Sequence, residues 1–345
     1  MALFRRKRSS VGLDIGSGFV KVVEVDHSGD RPEVTRVAVR PLLPDAIVEG
    51  EVMDAGLVSE TLRNLFQDIG LKGREVVTAV GGHDVIIKPI KMDRMREPDA
   101  REVIRWEAEQ HVHFDINSVE LDFQILDPDA EGLQMDVLLV AAKRELVENR
   151  VSLLRDAGVT PVLIDIEAFA LHNAFERNYP DAMRGIVALV NLGHETTNVN
   201  ILEEGVPVLT RHIAFGSRKL REELQRERGM TSEQAEDVIQ GKQSYPDLQR
   251  ALDASAEEVA MGIERASAFL MTRQSGAGLG QIFLSGGGSR IPGMAETLAA
   301  RIGVETRIVN PFERVSIRPG ADEGLSLAES APMLLLPLGL ALREA

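Results

Sequence analysis

The sequence predicts an α/β protein of two similar halves facing one cleft, with a small α+β domain inserted into the first half. Three stretches predict it. Residues 11–25, VGLDIGSGFVKVVEV, read as a strand, a glycine turn and a second strand. Residues 187–205, VALVNLGHETTNVNILEEG, repeat that pattern half a chain later, with Asn191 and Gly193 spaced as Asp14 and Gly16 are. Residues 281–303, QIFLSGGGSRIPGMAETLAARIG, give a buried strand, three glycines and a helix whose start Pro292 marks.

The first turn has the chemistry of an anion site. Gly16 and Gly18 carry no Cβ, so backbone N–H groups can approach a phosphate closely. Asp14 ends the first strand, Ser17 offers a hydroxyl at the tip and Lys21 opens the second strand with a cation. Alone, an Asp-x-Gly-x-Gly hairpin is equally well a plain turn. The second unit, in which Thr196 and Thr197 supply hydroxyls and Val199 and Ile201 alternate with Asn198 and Asn200, points to a duplicated fold with a ligand between its halves. In the third, Gly286, Gly287 and Gly288 let a flat ligand lie against backbone, and the following helix start favours negative charge.

Composition narrows the class. The 345 residues hold 39 Lys plus Arg against 54 Asp plus Glu, a net charge of −15 that argues against a nucleic-acid-binding surface. There is no cysteine, which excludes disulfides, thiol nucleophiles and Cys-ligated zinc. The basic start, with Arg5 to Arg8, runs straight into the Val11 strand without an apolar signal region, so a cytoplasmic protein is expected. That arm is read either as a lipid contact or as a solvated tail. The longest apolar run, Ala331 to Leu342, is interrupted by Pro332 and Pro337 and falls short of the roughly 20 residues a membrane helix needs.

Between these landmarks the chain reads in order. Glu33 to Arg40 alternates as a third strand. Val58, Leu62, Leu65, Phe66 and Ile69 mark an amphipathic helix with Ser59 in its cap region and Gly70 and Gly73 at its end, followed by a buried strand from Glu75 to Val80. From His83 the texture becomes strand (85–91), helix (98–111), strand (118–126), strand (134–142) and helix (144–157), with DPDAEG at 127–132 as an exposed loop. Thr160 to Ile166 is a strand and Glu167 opens a helix to Asn178. In the second half a strand (207–214), a helix from Gly216, a helix capped by Thr231 with Gln234 at capping-box spacing, and a long helix (252–273) precede the glycine-rich loop; a strand (304–309) and a helix (331–343) close the chain. Trp106 is read either as core or as part of a partner surface, as is Phe114. His111 and His113, two apart on a helix, face different ways and make a poor metal site.

Three such turns in this order resemble the actin, sugar kinase and Hsp70 superfamily of ATP-binding proteins. The resemblance implies phosphate loops at Asp14–Lys21 and Asn191–Thr197, an adenosine loop at Gly286–Arg290, and ATP with Mg²⁺ as cofactors, Asp14 holding the metal through water. It places Glu167 near the γ-phosphate and attacking water; the alternative is a helix-start carboxylate serving backbone N–H groups. Active members usually carry an aspartate where Asn191 stands, so slow hydrolysis is expected. Glu236 matches a glutamate that contacts adenosine. The accompanying lysine falls on Ile239, and Lys242 is a candidate substitute. His194 falls within the second phosphate turn.

The insert separates the relatives. Its position resembles the cell-division protein FtsA and the PilM family of type IV pilus assembly proteins. The segments VIRWEAEQHVHFD (103–115), VELDFQIL (119–126), MDVLLVAAKRELVE (135–148), FLSGGGSRIPG (283–293) and LGLALR (338–343) are similar to the PilM family. The implied organisation is a first half over 9–82, an insert over 83–160, the connecting helix over 161–185, a second half over 186–330 with a smaller subdomain at 217–275, and a closing helix over 331–345. The implied function is a cytoplasmic ATP-binding scaffold that grips the N-terminal peptide of PilN near residues 79–165 and so reaches the inner membrane indirectly. Further copies of itself and pilus motor ATPases are the other implied partners. An FtsA-like ATPase, or an active ATPase or small-molecule kinase with Glu167 as base, is the alternative.

Overall fold

Two sheets of matching topology carry the duplication. The computed structural model describes residues 9–71, 75–128, 131–268 and 278–343. Arg5–Arg8, Gly73, residues 129–130 of the expected loop, 269–273 of the expected long helix and the last two residues of the closing segment lie outside them.

In the first half, Ser9–Ile15 pairs antiparallel with Phe19–Asp26, which pairs antiparallel with Glu33–Pro41. On its other side Ser9–Ile15 runs parallel to Glu75–Val80, and that strand parallel to Thr160–Ile166. The second half repeats this order. Ile186–Leu192, Thr197–Glu203 and Val206–Ile213 form the antiparallel set, and Gln281–Ser285 and Glu305–Ile308 are the parallel strands. The antiparallel members place Asp14 opposite Lys21 and, at the equivalent position, Asn191 opposite Asn198. Gly16 N–H closes the first turn on the Phe19 carbonyl at 3.1 Å, as Gly193 N–H does on Thr196 at 2.9 Å. A two-residue strand, Ser316–Ile317, also joins the first sheet's edge at Glu33–Val34, a contact too short to leave a periodic signal.

One face of each sheet packs on two helical segments that cross between the halves. Glu167–Asn178 contributes Ala170, Leu171, Ala174 and Phe175, and the closing segment contributes Leu334 to Leu336, Leu338, Leu340 and Ala341, all in one core with Val23, Val77, Val187 and Phe283. Arg343 returns to the first half through an ion pair with Asp165 at 3.0 Å. The closing helix is shorter than the expected 331–343 span, with a 3₁₀ turn at Ala331–Leu334 before Leu335–Ala341.

The insert is a three-stranded antiparallel sheet, Val85–Asp93, Gln134–Lys143 and Val119–Ile125, under the helix Glu97–Glu109. Ala100, Ile104 and Ala108 form that helix's buried stripe. Trp106 lies off the stripe and is 71% exposed, so of the two readings of this residue the core is excluded. The helix Arg144–Asp156, expected with the insert, instead buries Leu153 and Leu154 in the first half's core beside Leu13, Val58 and Leu62. Its apolar positions face the outer side of the first sheet, which needs a cover.

Local signals also shift. The helix Ala55–Asp68 is capped by Asp54, which accepts from Leu57 N–H; Ser59 is buried inside it, its hydroxyl donating to the Ala55 carbonyl. Thr231 and Gln234 form the expected capping box. Pro292 stands one residue before the cap of Met294–Ile302. Gly293 is that cap, and the last two of the three glycines lie in a 3₁₀ turn, Gly287–Arg290, that comes before the helix. The dipole of that helix therefore does not act at the glycine loop directly.

Candidate functional site

The two turns meet at the base of a cleft. The cavity between them, about 100 Å³, is lined by Asp14, Gly16, Ser17, Gly18 and Lys21 from the first half. Asn191, Gly193, His194 and Thr196 line it from the second, with Glu167, Gly286 and Gly287. A larger cavity of about 620 Å³ shares Ser17, Gly18, His194 and Gly287 with it and continues between Phe19, Leu42 and Pro44 on one side and Arg221, Glu236 and Ile239 on the other, over Arg290. One continuous cleft thus runs from the paired turns to an amphipathic chamber.

Antiparallel pairing puts Asp14 and Lys21 on one face, where Lys21 Nζ lies 2.5 Å from Asp14 Oδ2. A cation and a carboxylate point into the same space. At the equivalent place in the second half Asn191 is neutral, and Ser285 Oγ donates to its Oδ1 at 3.4 Å. The turns touch through Gly18: a Cβ there would lie 2.8 Å from His194 Cγ. At Gly286, with φ +86°, a Cβ would meet the Leu192 carbonyl at 2.4 Å, so this position needs glycine on both counts. Gly288 is buried against Leu192 and does not line the cleft.

Glu167, first residue of the connecting helix, sends its carboxylate into the cleft, where Oε2 accepts from Asn198 Nδ2 at 2.8 Å. Asn198 Oδ1 in turn lies 2.6 Å from His212 Nδ1. Burial lowers the His212 pKa to about 4, with His83 adding to it. The neutral ring then carries its proton on Nδ1, because an amide oxygen only accepts. Burial pushes the Glu167 carboxyl up, Asp14 pushes it further, and Arg150, Lys21 and Asn198 oppose them. Gly81 makes room for this carboxylate, since a Cβ there would sit 2.4 Å from Glu167 Oε2.

Other expected residues divide. Thr196 lines the cleft, but Thr197 is fully buried and spends its hydroxyl on the Phe215 carbonyl at 2.8 Å. That is a correction: Thr196 closes the turn and faces the cleft, whereas Thr197 opens the strand Thr197–Glu203 with its side chain turned into the core. His194 lines both cavities, and burial, with Arg221 and Arg218 adding, lowers its pKa to about 4, so it brings no charge at neutral pH. Glu236 faces the chamber and accepts from Gln240 at 2.7 Å. Lys242 is outside the lining and lies 4.0 Å from Asp237; the cation beside Glu236 is Arg221 of the preceding helix, at 3.7 Å. Arg290 Nη1 rests on Met333 Sδ at 3.3 Å.

Sequence reasoning missed His83, whose ring meets His212 edge-on at 4.5 Å, and missed Arg150, whose buried Nη1 has no hydrogen-bond partner. Neither sits in a motif. Both reach the cleft region only through tertiary packing.

Duplicated sheets, crossing helices and paired turns around one cleft define an actin-like ATPase fold. The chain belongs to the PilM family: its residues 12–345 match the family described as type IV pilus assembly protein PilM. It is 30% identical to a protein solved as a PilM-PilN type IV pilus biogenesis complex, with a TM-score of 0.85 over 98% of this chain and 99% of that one. More distant likenesses carry the fold alone. Ethanolamine utilization protein EutJ from Carboxydothermus hydrogenoformans is 18% identical at a TM-score of 0.58, covering 97% of this chain and 89% of that one. MreB5 of Spiroplasma citri, solved with ADP, is 13% identical at 0.52, covering 97% and 95%.

Proposed function

We propose that this chain binds Mg-ATP between its paired turns and grips the N-terminal cytoplasmic peptide of PilN between its insert and first half, acting as a nucleotide-set scaffold of type IV pilus assembly. The observation that carries this reading is the convergence of the Asp14–Lys21 and Asn191–Thr196 turns on one cleft, in a chain so similar over its whole length to the PilM of a PilM-PilN complex. Gly16, Ser17, Gly18, Lys21, Gly193 and Thr196 hold phosphates by backbone N–H groups, hydroxyls and one cation. Glu236, Gly286, Gly287 and Arg290 face the adenosine.

The donor set fits Mg²⁺. Among the described residues no group of three or more acidic or histidine side chains gathers for a metal. Mg²⁺ does not require one, because it keeps most of its water and takes a carboxylate and phosphate oxygens. Asp14 is that carboxylate, and the ion supplies charge neutralisation to the phosphates when bound. Asn191 leaves this region one charge short, which favours a held nucleotide over a rapidly hydrolysed one. A second reading, slow hydrolysis with Glu167 as base, is favoured by the burial that raises its carboxyl.

Among the described residues no helix is long and apolar enough to cross a membrane. Under this reading the protein sits at the cytoplasmic face of the inner membrane because PilN holds it there. Calorimetric titration of nucleotide-stripped protein with a PilN N-terminal peptide, with and without Mg-ATP, beside a phosphate-release assay, tests it. Peptide affinity that changes with ATP while phosphate release stays near background supports the scaffold. Brisk turnover without peptide affinity overturns it in favour of an enzyme.

A further inference from the structure

The loop after the first half's third strand reaches across the cleft mouth and ends on the second half's phosphate turn. Asp45 Oδ1 lies 2.8 Å from Arg218 Nη2. Glu49 N–H donates to Glu195 Oε2 at 2.6 Å, and Arg218 Nη1 pairs with Glu195 Oε1 at 2.8 Å. Glu195 follows His194 in the turn, and Ser217 and Arg218 donate their N–H groups to the carbonyls of Gly193 and His194 at 3.0 and 2.7 Å. The loop therefore grips the turn that faces the phosphate cavity.

An exposed ion pair alone would carry little weight. Three features set this one apart. Arg218 uses Nε, Nη1 and Nη2 on three carboxylates, those of Glu222, Glu195 and Asp45. Glu195 is only 8% exposed, so this pair is not a solvated surface one. Glu49 adopts φ +51° without being glycine, asparagine or aspartate, a conformation that persists where surrounding contacts impose it, and Asp45 is left-handed too at φ +62°. The same loop carries Leu42 and Pro44 into the wall of the larger cavity.

We propose that Asp45, Glu195 and Arg218 form an ionic latch across the mouth of the cleft, whose opening sets the rate at which nucleotide enters and leaves. The proposal rests on nucleotide binding in the cleft, as assigned above. The latch holds both the empty and the filled cleft closed, so weakening it speeds entry and release together and leaves affinity nearly unchanged.

Asp45→Asn tests it cleanly. Asparagine tolerates the left-handed conformation, and the side chain is 66% exposed, so the fold and the Arg218–Glu195 pair are kept. Stopped-flow association and displacement of a fluorescent ATP analogue with Mg²⁺ on the full chain should show both rates raised about two- to fivefold, with Kd changed less than about twofold. Raising salt should speed exchange in the parent protein and do so less in the variant. Arg218→Lys, which cannot serve three carboxylates, should move both rates the same way. Unchanged rates, or faster release with unchanged entry, would overturn the latch alone. Failure of the parent protein to bind the analogue would overturn both the latch and the nucleotide reading beneath it.

Discussion

Glu167 and Asn198 meet across the halves, the carboxylate of the connecting helix accepting the amide of the second hairpin at 2.8 Å. The pair joins the element that links the two sheets to the strand opposite Asn191. Of the two carboxylates lining the cavity between the turns, Asp14 is tied to Lys21, so any change in the spacing of the turns is felt by Glu167.

Glu167→Gln separates the roles of that carboxylate. The amide can still meet Asn198 but cannot take a proton, so any phosphate release that uses it as base should fall by about 100-fold or more. ATP affinity should persist. The folded pKa is raised, so the stability this group confers is present at low pH and lost as pH rises through the folded value. The variant should therefore be the more stable form at pH 8 in the absence of nucleotide, with the difference closing toward pH 4 in urea titrations.

Gly18→Ala should act on binding. Its Cβ would press on the His194 ring at 2.8 Å and hold the two turns apart. Affinity for ATP by calorimetry should fall about tenfold or more, as expected when positioned phosphate contacts are displaced. The melting temperature without nucleotide should move little, because opening the cleft relieves the clash.

The hairpins, the glycine turns and the connecting helix are legible because each rests on local rules: alternation, the missing Cβ that lets backbone approach closely at Gly18 and Gly193, and a single helix start. The spacing shared by Asp14–Gly16 and Asn191–Gly193 even revealed the duplication. What stayed hidden joins distant positions. No local pattern links Asp45 with Glu195 and Arg218, or His83 with His212, or shows that the cation beside Glu236 is Arg221 of the preceding helix. Leu153 and Leu154 pack in the first half's core and not with the insert, because an amphipathic pattern states that a face is buried and not against what. Thr196 and Thr197 look alike in sequence, but the first belongs to the turn and the second to the strand, and only the packing shows which hydroxyl stays free for the cleft.

His194 and His212 should make the fold acid-sensitive. Each is held neutral, with a folded pKa of about 4 against about 6.5 when unfolded. Lowered values mean that this stability is present above the unfolded pKa and is lost as pH falls through the folded one. Discounted for their partial exposure, the two should cost on the order of 1–3 kcal/mol each between pH 7 and pH 4. Urea midpoints across that range measure the loss, and His212→Gln should flatten its share.

Trp106 reports on the insert without supporting it. At 71% exposure the sole tryptophan should show water-like emission open to ionic quenchers. Trp106→Ala should change stability by no more than about 0.5 kcal/mol. If the insert's outer helix face takes part in gripping a PilN peptide, peptide addition should shift or protect the emission; unchanged emission during a saturating titration would put the groove elsewhere.

Gly12 and Gly339 set how closely the first strand, the closing helix and the connecting helix approach. A Cβ on Gly12 would lie 2.0 Å from the Pro337 carbonyl oxygen, and one on Gly339 1.7 Å from that of Ala170. In both cases the obstacle is backbone, which cannot rotate aside as a side chain can. Neither glycine has a positive φ, so the constraint is space and not conformation. Gly339→Ala must push apart two helices that share one core with both sheets, and should cost more than the roughly 1–3 kcal/mol of ordinary overpacking. Chemical denaturation would measure it. Because the crossing helices join the halves, the same substitution should also reduce ATP affinity, although Gly339 lies outside the lining of the cleft. A stable Gly339→Ala protein with parental affinity would mean that the two halves can shift on each other without disturbing the paired turns.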